Sequence, residues 1–293
     1  MWTKLAQLPP YWRWPAKTGL FALAVVAVLF PHPVLLVKQI QALRNPDSLI
    51  QTNFPGLAEI NATIDKSLPP DADRDKQFKA IERFVYQNIK YRYDWYNWGN
   101  LDYWPTAEET WALKKEDCDG RAVLAASILR SRGYTNATIV ANLKHVWVKV
   151  GDVELMGPGG EKVFRHEGGK TIVTVPSWKT LLDAIAFTCK FPIVRSLAIF
   201  FAALMLCFHP CRSITGFFVT ATVGLVGFLL FFDWSGMYMD NEVNRVDHNF
   251  ILGVLLVATS LIAALFMEKL AAKYSFIRGS ASTKTEPSET ALR

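Results

Sequence analysis

Two residues frame the chemistry open to the middle of this 293-residue chain, Cys118 and His145. Cys118 lies in Glu116-Asp117-Cys118-Asp119-Gly120-Arg121, where the spacing of Val123, Leu124, Ile128 and Leu129 predicts a helix from Cys118 to Arg132, ended by Gly133. A cysteine in a first helical turn meets unpaired backbone N–H groups and the positive end of the helix dipole. Both favour thiolate, and an activated cysteine would titrate below the ~8.5 of a free thiol. The same N–H groups suit an oxyanion formed when the sulfur attacks a carbonyl. The plainer alternative is a small buried hydrophobe. Asp117 and Asp119 work against a lowered thiol pKa by their charge.

His145 opens the alternating run His145-Val146-Trp147-Val148-Lys149-Val150, which puts His145, Trp147 and Lys149 on one face of a strand and three valines on the other. With the valines as core, the histidine face is free to meet a helix start. A helix-start cysteine facing a strand histidine is the arrangement of a Cys-His nucleophile pair.

These segments together, with the helix ending Leu129-Arg130-Ser131-Arg132-Gly133-Tyr134, resemble the core of the transglutaminase-like superfamily. Upstream, Asp102-Tyr103-Trp104-Pro105-Thr106-Ala107-Glu108-Glu109-Thr110 is similar to the segment before the nucleophile in bacterial transglutaminase-like cysteine proteinases. The likeness covers about Arg74 to Pro158. It implies a papain-like α+β fold, Cys118 as nucleophile and His145 as the base that activates it. The family adds an Asp on the following strand, where this chain has Gly157 in Leu155-Met156-Gly157-Pro158. If Gly151-Asp152 is a two-residue turn, Lys149 pairs with Glu154 and His145 falls opposite Pro158, leaving Glu154 about 13 Å along the strand from His145. A distant carboxylate or amide fills the place, or the site runs as a dyad, or it has lost catalysis. Some superfamily members use an upstream aromatic near the oxyanion. Trp98, Tyr103 and Trp104 are candidates for that role or for a substrate cleft, and membership of the core is the alternative for such side chains.

The elements that must carry this site fall in the stretch Lys38 to Lys190, with 21 Lys or Arg against 19 Asp or Glu. That near balance excludes a nucleic-acid-binding domain despite the chain's net +6. Asp73 to Lys90 spaces Phe78, Ile81, Phe84, Val85 and Ile89 as an amphipathic helix, and Thr106 to Glu109 has the form of a capping box. Ala137 to Leu143, Lys144 to Val150, Val153 to Met156 and Thr171 to Val175 read as strands, with Gly157 to Gly169 a glycine-rich loop. Helices followed by strands predict an α+β domain with an antiparallel sheet. No second Cys or His stands at ligand spacing and no phosphate-binding glycine motif occurs, so neither metal nor cofactor is expected.

Outside that domain the 51% hydrophobic content concentrates in Gly19 to Val37, Pro192 to Phe208, Ser213 to Phe232 and Phe250 to Met267. Each is close to the ~20 residues that cross ~30 Å of hydrocarbon as a helix. The expected organisation is a cytoplasmic N-terminus with a first span (1–37), an extracytoplasmic domain (38–190), three spans (191–267) and a disordered cytoplasmic tail (268–293). Lys4, Arg13 and Lys17 before the first span, Arg212 between the second and third, and Lys269, Lys273, Arg278 and Lys284 after the fourth all favour the cytoplasmic side, whereas Asp233, Asp240, Glu242 and Asp247 face the other. A cleaved signal peptide competes for the first segment, but its apolar run ends in Pro31-His32-Pro33 without a small-x-small site. Trp12, Trp14, Trp234 and Tyr238 fall where interfacial aromatics are expected. The whole reads as a membrane-anchored cysteine hydrolase or acyl-transferase of a bacterial inner membrane, acting on a peptide or protein. The alternative is a degenerate domain that binds peptide or scaffolds membrane proteins through helices 191–267.

Overall fold

The computed structural model describes residues 2–157, 160–167, 170–210, 213–239 and 246–282. Expectations resting on Pro158, Cys211, Arg212, residues 240–245 and the tail past 282 lie outside them. In chain order the helices are α1 (Trp2–Gln7), α2 (Pro10–Leu29), α3 (Pro33–Arg44), α4 (Leu57–Ser67), α5 (Arg74–Asn88), α6 (Asp94–Asn97), α7 (Ala107–Leu113) and α8 (Cys118–Ser131). Two short strands, β1 (Lys90–Tyr91) and β2 (Lys115–Glu116), interrupt them. After α8 come β3 (Ala137–Ala141), β4 (Val146–Val150), β5 (Val153–Leu155), β6 (Phe164–Glu167) and β7 (Lys170–Val173). The chain ends in α9 (Trp178–Phe187), α10 (Ile193–Phe208), α11 (Ile214–Met239) and α12 (His248–Ser282). It divides into two units, residues 29–187 and residues 1–28 with 188–293.

The unit 29–187 is the mixed α and β part, with an antiparallel five-stranded sheet in the order β5-β4-β3-β6-β7. Its central helix is α8. Ala122, Val123, Leu124, Ala125, Ala126, Ile128 and Leu129 are all fully buried, so α8 is apolar on nearly every side rather than along the one face its larger residues suggest. It packs on the valine face of β4 and on β3, with α4, α5 and α7 against its other sides. The local signals hold: Asp73 caps α5 by accepting from Lys76 N, and Thr106 and Glu109 form the reciprocal capping box of α7. The turn at Gly151-Asp152 sets the β4–β5 register, pairing Val150 with Val153 and Lys149 with Glu154.

Three features depart from the sequence reading. The first apolar segment is split, because α2 stops at Leu29 and Pro33 opens α3. The latter places Gln39 and Ala42 in the core of the 29–187 unit. Strand β6 lies inside the stretch expected to be a glycine-rich loop, paired with β3 and β7. The histidine face of β4 is not open, since Trp147 is fully buried there and donates from Nε1 to Glu154 at 2.9 Å.

In the other unit α11 and α12 pack closely along their length. A Cβ on Gly227 would come within 2.7 Å of the Gly253 carbonyl oxygen and 2.8 Å of Val257 N. Phe200, Leu204 and Phe208 of α10 cluster with Ala264. Helix α11 and the stretch His248–Phe266 are long and apolar enough to cross a membrane. The number rises to four if the bent pairs Pro10–Leu29 with Pro33–Arg44 and Trp178–Lys190 with Ile193–Phe208 each count as one span. Exposed Ile214, Phe218, Val219, Leu229, Leu255 and Ile262 give these helices an outer surface consistent with an integral membrane protein. Trp234, near the end of α11, is fully buried against Phe250, with ring centroids 4.5 Å apart. The last helix continues past Met267 to Ser282.

Candidate functional site

Cys118 is the first residue of α8, as the sequence reading expects, and Asp117 is its N-cap, accepting from Asp119 N at 3.4 Å. The helix start is pressed inward because its third residue has no side chain. A Cβ on Gly120 would fall 2.7 to 2.9 Å from Glu116, Thr110 and Pro105. Half-buried Cys118 packs against the edge of the apolar core.

His145 is carried by the β3–β4 turn. Asn142 Oδ1 accepts from the backbone N–H groups of Lys144 (3.0 Å) and His145 (2.9 Å), and Asn142 N donates to the His145 carbonyl. The His145 ring stands parallel to Trp147 at 6.0 Å, and its Nε2 lies 2.9 Å from the Met156 carbonyl oxygen. A carbonyl only accepts, so this contact is a hydrogen bond only when Nε2 carries the proton. Nδ1 of the neutral ring then holds the free lone pair.

The aromatic candidates differ in what their polar groups meet. Trp98 Nε1 donates to Glu116 Oε1 at 2.6 Å, and the Tyr103 hydroxyl donates to the Glu109 carboxylate at 3.1 Å. Trp104 is core, edge-on to Phe164, with its backbone N–H on Gln39 Oε1. Trp98 thus reaches the neighbourhood of Cys118 through Glu116, whereas the polar groups of Tyr103 and Trp104 are engaged with other partners.

What sequence spacing did not reveal is how many carboxylates converge here. Oxygens of Asp94, Glu116, Asp117 and Asp119 lie within 4.8 Å of one another, all four residues buried. Asp94 comes from the start of α6, and the parallel pairing of Tyr91 with Glu116 brings that region alongside the nucleophile segment. Asp94 Oδ2 accepts from Tyr103 N at 2.6 Å, and Asp102 is held by Gln39 Nε2 at 2.6 Å. Asp94 Oδ1 and Glu116 Oε2 are buried without a donor among the described residues. Acceptors this close need a proton between them or a cation among them. Oxygen-only donors of this kind suit a hard divalent ion, and these four side chains are the ones that would hold it.

Burial and the neighbouring Asp117 charge raise Glu116 to about 8 and Asp102 to about 7. Asp94 and Asp119 are pushed well above the usual carboxylate range, burial first and Asp117 second. The same two causes push the Cys118 thiol well up, with the Val146 N–H opposing them. The helix start therefore does not by itself favour thiolate: desolvation and like charge outweigh the dipole.

Arg121 follows in the first turn of α8. Its guanidinium lies over the rings of Tyr86 (5.3 Å) and Tyr91 (5.0 Å) and donates to the Ile89 carbonyl. Comparison with protein-family models and with curated proteins returned no match.

Proposed function

We propose that residues 38–190 form a papain-like, transglutaminase-type core and that the protein is a membrane-anchored cysteine hydrolase or acyl-transferase. Its orientation follows the charge distribution, with the core on the extracytoplasmic side, both termini cytoplasmic, and a bacterial inner membrane as the compartment. The observation that carries the chemistry is the junction of α8 with β4. Helix α8, which Cys118 opens, packs on β4, the strand that His145 directly precedes, and the His145 ring has Nε2 engaged by the Met156 carbonyl, leaving Nδ1 as the base.

The reaction runs from a neutral thiol. Nδ1 takes the Sγ proton as sulfur bonds to the carbonyl carbon of a peptide or protein substrate, and the π electrons move to oxygen. Collapse of the tetrahedral species breaks the C–N bond, and the imidazolium returns the proton to the departing amine. Water then cleaves the thioester to acid and free thiol; an amine in its place yields a new amide.

Alkylation by iodoacetamide, followed at Cys118 by mass spectrometry, tests this. His145→Ala should slow it by roughly tenfold or more at neutral pH. Asp117→Asn should speed it, because removing the nearest negative charge lets the thiol ionise at lower pH. An unchanged rate in His145→Ala would remove the Cys-His mechanism. The second reading, a catalytically silent domain that binds peptide or scaffolds a membrane assembly, draws its support from the raised thiol pKa. It predicts alkylation that rises only at alkaline pH and ignores His145. For orientation, Asp152→Cys in a chain with its native cysteines replaced should react with an impermeant thiol reagent in intact cells. Protection of that cysteine would invert the topology.

A further inference from the structure

We infer that Glu82 is a positioning residue for His145, acting through the Met156 peptide, whose carbonyl takes the orienting place that a carboxylate fills in a triad. The inference rests on the Cys-His reading of the site and deepens it. Glu82 stands on α5, across the core from the strand that carries the histidine, and Glu82 Oε1 accepts from Met156 N at 3.0 Å. Met156 is a buried residue held at φ +62°, the left-handed region that a residue with a Cβ avoids. Strain of this kind persists only where the surroundings over-determine it. Here three things do so: the Glu82 acceptor on its N–H, its buried side chain and the imidazole on its carbonyl.

The direction of the carbonyl decides the tautomer. With the Met156 oxygen aimed at Nε2, the proton is fixed on Nε2 and the lone pair on Nδ1, the state a general base needs. Without the Glu82 contact, the 155–156 peptide loses the acceptor that holds its N–H, the left-handed conformation at Met156 loses one of its restraints, and the carbonyl across the same Cα is free to turn. The imidazole would then sample both tautomers. A neutral carbonyl supplies only part of a carboxylate's negative charge, so it orients the ring through the position of the proton more than through its own charge.

The test uses the full chain in detergent with 15N-labelled histidine, assigning His145 by its loss in His145→Ala. The wild type and Glu82→Gln, whose amide oxygen still accepts from Met156 N, should show Nε2–H. Glu82→Ala should show a mixture of tautomers. In parallel, Cys118 alkylation should be within about twofold of wild type in Glu82→Gln and roughly tenfold slower in Glu82→Ala. Tautomer and rate unchanged in Glu82→Ala would overturn the positioning role while leaving the Cys-His reading intact. A lost tautomer preference in Glu82→Gln as well would also overturn it, because rescue by a neutral acceptor is the mark of this hydrogen bond. The tautomer is read without any reaction at sulfur, so it separates failure of this inference from failure of the reading beneath it.

Discussion

The two units solve opposite packing problems. Helices α11 and α12 meet through absent side chains: Gly227 lies against Gly253 and Val257, and Gly224 against Phe200 and Ser260. Ser260 Oγ donates to the Thr220 carbonyl at 2.6 Å. Helices in lipid gain little from hiding apolar surface from one another, so close backbone approach and a few polar contacts hold them. The 29–187 unit buries a continuous apolar core around α8 and then tolerates, at one end of that helix, four carboxylates in mutual reach. Among the described residues each unit leaves buried polar atoms without a partner, Ser235 Oγ on α11 in the one and Asp94 Oδ1 and Glu116 Oε2 in the other, but only the second gathers its own within a group of carboxylates. Such a concentration of unfavourable charge is a mark of function more than of stability.

The largest effect should come from discharging or charging that carboxylate group. Because Glu116 and Asp102 are raised in the folded state, their protonated forms favour folding. That contribution is complete below about pH 4 and is lost as pH rises through about 7 and 8. Thermal melting of the full chain between pH 5 and 9 should show falling stability, by a few kcal/mol in all, and Glu116→Gln should flatten the slope. A cation among the same oxygens reverses the sign: added divalent ion would raise the melting temperature at pH 8, and a chelator would lower it. A melting temperature indifferent to pH, divalent ion and chelator alike would show that the carboxylates are not the polar strain they look to be, and the contrast between units would fail.

A smaller effect sharpens the other side. Gly227→Leu drives a side chain into the α12 backbone and should cost ~1–3 kcal/mol or more, separating α11 from α12 in a cross-linking assay across the pair. Ser260→Ala, which removes one interhelical hydrogen bond, should cost only ~0.6 kcal/mol. Equal costs for the two would mean that polar contact, not close approach, holds the pair.

What the sequence made legible follows the range of the interactions. Asp73, Thr106 and Glu109 act within one helical turn, and Gly151-Asp152 sets a register between adjacent strands, so pattern alone suffices. Cys118 at the start of α8 belongs to the same class. Asp94 was missed as a partner of Glu116 because their regions are joined by the parallel β1–β2 pairing and by long-range hydrogen bonds such as Trp98 to Glu116, none of which leaves a local pattern. Strand β6 was hidden for a like reason, since its pairing with β3 spans a long interval and glycines flank it. The break between α2 and α3 was written in Pro31 and Pro33, but the apolar run Val34 to Val37 masked it. The role of Met156 had no sequence signal, since a backbone carbonyl can be offered by any residue type.

Gly157 closes one route of change. Any side chain there would put its Cβ 2.5 Å from the indole of Trp147, so no aspartate can be introduced at 157 while that tryptophan stays. The indole at 147 and the bare Cα at 157 are thus matched to each other. A carboxylate at this point of the strand end requires shrinking the ring at 147 and enlarging position 157 together, because neither change makes room for it alone.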